Sequence, residues 1–202
     1  MAIVKKYEQY VNEVLRPGKP YHGSKIIVFD LDDTLVITNA KIKVCNKVSG
    51  ECFSLTPEEF NEYEKHPDHE LDFEDFKSLE IMKAGRLIDY YLKIFKEAYK
   101  MKLAVGIVTA RDDQEMIYKW LKEHVGYRID KDLIFAVTDP VHKFSGSISD
   151  RKKQAFRELI GLGYRNFQFY DDDQANLELV KSLEGEYAEI NISTIRAIKP
   201  KY

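Results

Sequence analysis

Short apolar runs alternate with amphipathic stretches along this chain, and that alternation narrows its architecture more than any other feature. Five runs read as strands: 26–30 (IIVFD), 103–109 (LAVGIVT), 133–138 (LIFAVT), 167–171 (FQFYD) and 187–192 (YAEINI). The first two are almost continuously apolar, the pattern of strands covered on both faces. The fourth alternates more, but its Phe and Tyr content favours a strand. Between the runs lie helical periodicities over 79–101, 112–124, 150–161 and 173–184. Met116, Ile117, Trp120 and Leu121 share one helical face, as do Ala155, Phe156, Leu159 and Ile160. Strands and helices repeating at this spacing predict an α/β protein, with a parallel sheet between helices on both faces.

One interval breaks the rhythm. Residues 37–78 contain KIKVCNKVSGECFSL, which reads as a hairpin, followed by TPEEFNEYEK. Thr56 as N-cap, Pro57 at the first helical position and Glu59 closing a capping box predict a short helix. The chain is therefore expected to divide into a core, 1–36 and 79–202, and a small insertion, 37–78, over the strand ends. The N-terminal stretch MAIVKKYEQYVNEVL reads as an amphipathic helix over 2–15 and not as a signal peptide.

Composition adds boundaries. A length of 202 residues suits one compact domain with a modest insertion. A formal charge of −3 gives no global basic field for nucleic acid or a membrane surface. No apolar run approaches the roughly 18–20 residues that span a bilayer, so no membrane partner is expected. With no export signal and only Cys45 and Cys52, the expectation is a cytoplasmic protein. The two cysteines face each other if 47–50 form a hairpin loop; in a reducing compartment they are expected to be small packing residues and not a disulfide.

In a parallel α/β sheet the loops after the strands gather on one edge, where ligands bind. Asp30, Asp32, Asp33 and Thr34 follow the first run, and Thr109, Ala110, Arg111 and Asp112 the second. Thr138 and Asp139 follow the third; Asp171, Asp172 and Asp173 follow the fourth. Carboxylates converging on one edge repel each other unless they hold protons or a cation. A hard divalent ion with oxygen ligands resolves the conflict, and Mg²⁺ suits carboxylate-plus-water coordination. Each D-rich turn alone also reads as a solvated helix cap; the two together at matching strand ends argue for a site.

Cations supply the complement. Ser149-Asp150 reads as a helix start, followed by Arg151, Lys152 and Lys153, which oppose the helix dipole unless they face anions. The spacing of Phe156 and Leu159 puts Lys152 nearer the buried stripe and Lys153 to the side, and both remain candidates. Arg111 is either a phosphate contact or a surface partner of Asp112 and Asp113, and Asp139-Pro140 belongs to the rim. The segment His66-Pro67-Asp68-His69-Glu70 reads as a solvated turn and not a metal site.

These motifs resemble those of the haloacid dehalogenase (HAD) superfamily. Asp30-Leu31-Asp32-Asp33-Thr34 after an apolar strand, Thr109 after a second, a lysine opening a helix, and Asp171-Asp172 after a later strand occur in that family's order over about 24–193. The resemblance implies a Rossmann-like, three-layer core acting as a phosphatase. Asp30 would be the nucleophile that forms an aspartyl-phosphate, and Asp32 the general acid and base. Thr109 would bind a phosphoryl oxygen, flanked by Ala110 and Arg111, while Lys152 or Lys153 neutralises charge. Mg²⁺ would lie against the Asp30 carboxylate, the Asp32 backbone carbonyl and Asp172, with Asp171 beside it. Asn176 stands where the family often has a further acid. The insertion lies where the family carries its smaller caps, and a small cap leaves the site partly open. The substrate is then a phosphomonoester, either a small molecule or a nucleic-acid end. A binding protein that kept the fold without catalysis is the alternative.

Overall fold

The structure is a computed structural model that describes residues 25–200; the helix expected over 2–15 lies outside them. Its centre is a five-stranded parallel sheet in the order β10-β9-β1-β7-β8. These strands are β1 (Lys25–Phe29), β7 (Ala104–Thr109), β8 (Ile134–Ala136), β9 (Asn166–Asp171) and β10 (Asn191–Arg196). The first of them in sequence is thus the middle of the sheet, paired with β7 on one side and β9 on the other.

Alternate side chains of β1 go to opposite faces, as a pleated strand requires. Ile27 and Phe29 pack with Met82, Phe95, Ile117 and Trp120. Ile26 and Val28 pack with Phe156, Leu159, Phe169 and Val180. The first face is covered by α2 (Leu79–Ala84), α3 (Asp89–Lys100) and α4 (Gln114–Trp120), and the second by α5 (Ile148–Gly161) and α6 (Gln174–Lys181). The chain is therefore an α/β protein with helices on both faces of a parallel sheet, an arrangement compatible with a Rossmann-like fold.

The interval after β1 forms two smaller sheets. Strands β2 (Val36–Ile37) and β6 (Arg86–Leu87) pair antiparallel, and β3 (Ile42–Asn46) lies between β4 (Cys52–Leu55) and β5 (His69–Asp72). The hairpin expected from KIKVCNKVSGECFSL is present as β3–β4. The short helix α1 (Pro57–Asn61) follows with the expected reciprocal Thr56–Glu59 capping box.

Five expectations are corrected. The stretch 79–101 is two helices, because a Cβ at Gly85 would meet Val36 Cγ2 at 2.7 Å and the Ile37 carbonyl at 3.0 Å. Close packing against β2 therefore ends α2 there. The last strand runs Asn191–Arg196 and not 187–192; Tyr187 and Ile190 instead pack against the core from the connecting loop. Part of the solvated turn assigned to 66–70 is strand, since His69–Asp72 pairs with Asn46–Lys43. The N-cap of α5 is Ser147, not Ser149, with Asp150 completing a capping box. Finally, Cys45 and Cys52 stand opposite one another in register, with Cα atoms 4.1 Å apart, and form a disulfide. Hairpin geometry overrides the expectation of packing thiols. No helix among the described residues is long and apolar enough to cross a membrane.

Candidate functional site

The carboxyl ends of the three central strands bring the sequence's acids together. Asp30 follows β1 directly, and its amide donates to the Tyr170 carbonyl at 2.8 Å, extending the β1–β9 ladder by one step. That step places Asp30 level with Asp171 at the end of β9. Carboxylate atoms of Asp30, Asp171 and Asp172 lie within 4.8 Å of one another. Asp30 and Asp171 are buried and Asp172 is half-buried.

Lys152 enters this cluster from the second turn of α5. Its ammonium donates to Asp30 Oδ1 at 2.8 Å and to Asp171 Oδ2 at 2.7 Å, and the residue is 2% exposed. Burial disfavours its charge, but the Asp171 and Asp30 carboxylates outweigh burial and raise its proton affinity, so Lys152 is an ammonium. For Asp30, burial pushes the pKa well above the usual carboxylate range; Lys152 opposes the rise and Asp171 and Asp172 add to it. Asp172 is pushed up to about 6, first by burial and then by Asp171 and Asp33. Lys153, the other candidate, turns away to Ser182 Oγ and Glu186. Arg151 turns back to the Gly146 carbonyl.

One ammonium among three carboxylates leaves the ionised cluster at a charge of −2. Oxygen donors, excess negative charge and a half-open side at Asp172 suit a hard divalent cation. The three acids could hold one.

Hydrogen bonds from two neighbouring residues fix Asp171. The Asn176 amide donates to both of its oxygens, at 3.1 and 3.2 Å, and the Asp173 amide donates at 2.9 Å. Ser149 in the first turn of α5 donates to Asn176 Oδ1 at 2.8 Å. The sequence marked Asn176 as a departure from an acid; in the structure it orients one. Ser149 was missed as a contributor, because a serine in a helix's first turn carries no signal of its partner.

Asp32 occupies a different position. The turn after β1 is closed by Leu35 and Val36 amides donating to the Leu31 carbonyl, with Asp33 in the left-handed region at φ 61°. Asp tolerates that conformation better than most residues. Asp33 then pairs with Lys199 at 2.6 Å, while Asp32 is gripped by Arg111. Arg111 Nε and Nη2 each donate to one Asp32 oxygen at 2.8 Å, the planar fork that guanidinium makes with carboxylate. Its Nη1 donates to the Phe76 carbonyl at 2.6 Å. Arg111 is 3% exposed, so it is neither a surface residue nor a partner of Asp112 and Asp113. Thr109 is buried at the end of β7, and Ala110 lines a cavity with Asp32 and Arg111. Asp139 caps a 3₁₀ turn.

The cavity measures about 960 Å³ and opens beside Asp32 and Asp33. Its far wall comes from the interval 37–78, including Phe60, Phe73 and Phe76. Comparison with protein-family models, curated proteins and solved structures found no match.

Proposed function

We propose that the protein is a Mg²⁺-dependent phosphomonoester hydrolase of the haloacid dehalogenase type, working through an aspartyl-phosphate. The observation that carries this reading is the buried Lys152 ammonium bridging Asp30 and Asp171, with Asp172 completing a three-carboxylate group. A solvated helix cap has no reason to bury a lysine between two acids. A nucleophilic carboxylate beside a dianionic phosphoryl group does need that neutralisation.

In this reading Lys152 holds Asp30 through Oδ1, and Oδ2 attacks phosphorus. The bond to the leaving oxygen breaks, and Asp32 gives that oxygen a proton. Asp32 then takes a proton from water, which attacks the phosphorus of the aspartyl-phosphate. The Asp30 carboxylate is regenerated and inorganic phosphate leaves. Mg²⁺, held by Asp30 and Asp172 with the Asp32 backbone carbonyl, would screen the negative charge shared by phosphoryl group and carboxylates. Arg111 fixes the Asp32 carboxylate two residues from the nucleophile, and Thr109 at the end of β7 is the phosphoryl hydrogen-bond donor. Lys153 has no part, because it is engaged by Glu186.

The test is phosphate release from a panel of phosphomonoesters, comparing wild type with Asp30→Asn, with Mg²⁺ and with chelator. Release that requires both Mg²⁺ and Asp30 supports the reading. If no substrate is turned over in an Asp30-dependent manner, the phosphatase reading fails and a binding protein on this fold replaces it.

A further inference from the structure

The cavity beside Asp32 has a mixed lining: Asp32, Arg111 and Thr138 come from the segments that follow the sheet strands, and Phe60, Phe73 and Phe76 come from the interval 37–78. Phe73 is 42% exposed, a large apolar face left uncovered at the cavity wall. The rings of Phe60 and Phe73 stand 5.7 Å apart at 89°, and Phe76 lies 5.6 Å beneath the Arg111 guanidinium. The same residue that grips Asp32 thus also touches the aromatic wall, through the Phe76 carbonyl as well as its ring.

Resting on the phosphatase reading, we infer that this wall receives the leaving group, and that the substrate is the monophosphate of an alcohol bearing a flat aromatic ring, of the size of a nucleoside monophosphate. Three features select that class. The volume, about 960 Å³, falls in the range of pockets that enclose small ligands. Phe60, Phe73 and Phe76 give the lining three aromatic rings, and aromatic faces favour flat rings in stacked or edge-on contact. The charges balance: Lys41, Arg111 and Lys199 line it, but so do Asp32, Asp33 and Asp112. Arg111 is committed to Asp32 and Lys199 to Asp33. A strand carrying many phosphates needs a run of excess cations along its path, and neither Arg151 nor Lys153 turns toward this cavity.

The experiment uses the full chain with Mg²⁺ and four probes: adenosine 5′-monophosphate, ribose 5-phosphate, dodecyl phosphate and a 5′-phosphorylated decanucleotide. The readout is the ratio of kcat/KM values, in wild type, Phe73→Leu and Phe73→Ala. Adenosine monophosphate is expected to exceed ribose phosphate at least tenfold in wild type. That ratio is expected to fall at least threefold in Phe73→Leu, which keeps apolar bulk but loses the flat face, and further in Phe73→Ala. A ratio near one in wild type overturns the inference, as does a Phe73→Leu ratio equal to wild type. So does a preference for dodecyl phosphate or for the oligonucleotide. A parallel binding measurement on Asp30→Asn compares adenosine with ribose, neither carrying phosphate. Adenosine binding that weakens in the Phe73→Leu form of that variant supports the aromatic subsite even if no probe is hydrolysed. Equal or absent binding of both sugars together with active turnover leaves the phosphatase standing and removes the subsite.

Discussion

Under the phosphatase reading Arg111 could either bind the substrate's phosphate or hold Asp32 in place. Its fork is spent on Asp32 and the Phe76 carbonyl, which favours the second role. The two roles differ in what they do to different leaving groups. In that reading a poor leaving group, such as an alkoxide, would need the proton from Asp32, whereas a stabilised one, such as 4-nitrophenolate, would depart largely without it. Arg111→Lys cannot reproduce the planar fork. We expect it to slow the first step about tenfold or more on alkyl phosphates and much less on 4-nitrophenyl phosphate, with the pre-steady-state burst of released alcohol or 4-nitrophenolate as the readout. An equal loss on both substrates, carried by KM, would instead make Arg111 a phosphate ligand. The sequence placed Arg111 next to the site, but its partner sits 79 residues away, and nothing local announces such a pairing.

The hairpin β3–β4 offers a separate test, because its disulfide closes a small loop. Cys45 and Cys52 are seven residues apart, so the entropy removed from the unfolded chain amounts to about 2 kcal/mol. Cys52→Ser, or reduction of the wild type, is expected to raise amide exchange over Ile42–Leu55 while leaving exchange in β1, β7 and β9 unchanged. Thiol titration of the denatured, unreduced protein should find no free cysteine. Helices and strands with strong local signals were legible: the Thr56–Glu59 capping box, the hairpin, and the apolar runs of β1 and β7 all lie where the residues put them. The failures share a cause. Gly85 breaks a helix because of Val36, far from it in the sequence, and β10 begins late because Tyr187 and Ile190 find packing sites in a loop. In each case a tertiary neighbour, and not the local pattern, decided the element. For the candidate site, the acids at the strand ends were readable from the strand pattern, and periodicity put Lys152 nearer the buried stripe while leaving Lys153 open; the Ser149–Asn176–Asp171 chain was not readable.

Charge balance at the sheet edge has consequences for the stability of the whole protein. Asp172 is raised to about 6 from an ordinary value of 3.8. A carboxyl whose folded pKa lies above its unfolded one favours folding when protonated. Its contribution is fully present below pH 3.8 and is lost as pH rises through about 6. In chelator, this group therefore lowers stability between pH 4 and pH 6, by about 1–2 kcal/mol after allowance for its partial exposure. A divalent cation competes with that proton, so its stabilisation should grow over the same window and level off above pH 6. Thermal melts with and without Mg²⁺ should diverge as pH rises, and Asp172→Asn should reduce both the divergence and the acid-side gain. Melts that stay superimposed at pH 7.5 would count against a cation at these acids.

The position of β1 carries a further consequence, for the order in which the chain assembles. The strand made first among the five lies in the middle of the sheet, and the bond from Lys152 to Asp30 spans 122 residues. During synthesis β1 therefore leaves the ribosome long before β9 exists to cover its second edge. An apolar strand waiting with an open edge is exposed to pairing with other chains. Contacts of such sequence separation also form late and slowly. The acid cluster is thus complete only once β1 and β9, the strand pair of widest sequence separation in the sheet, have come together, and its appearance would report that step.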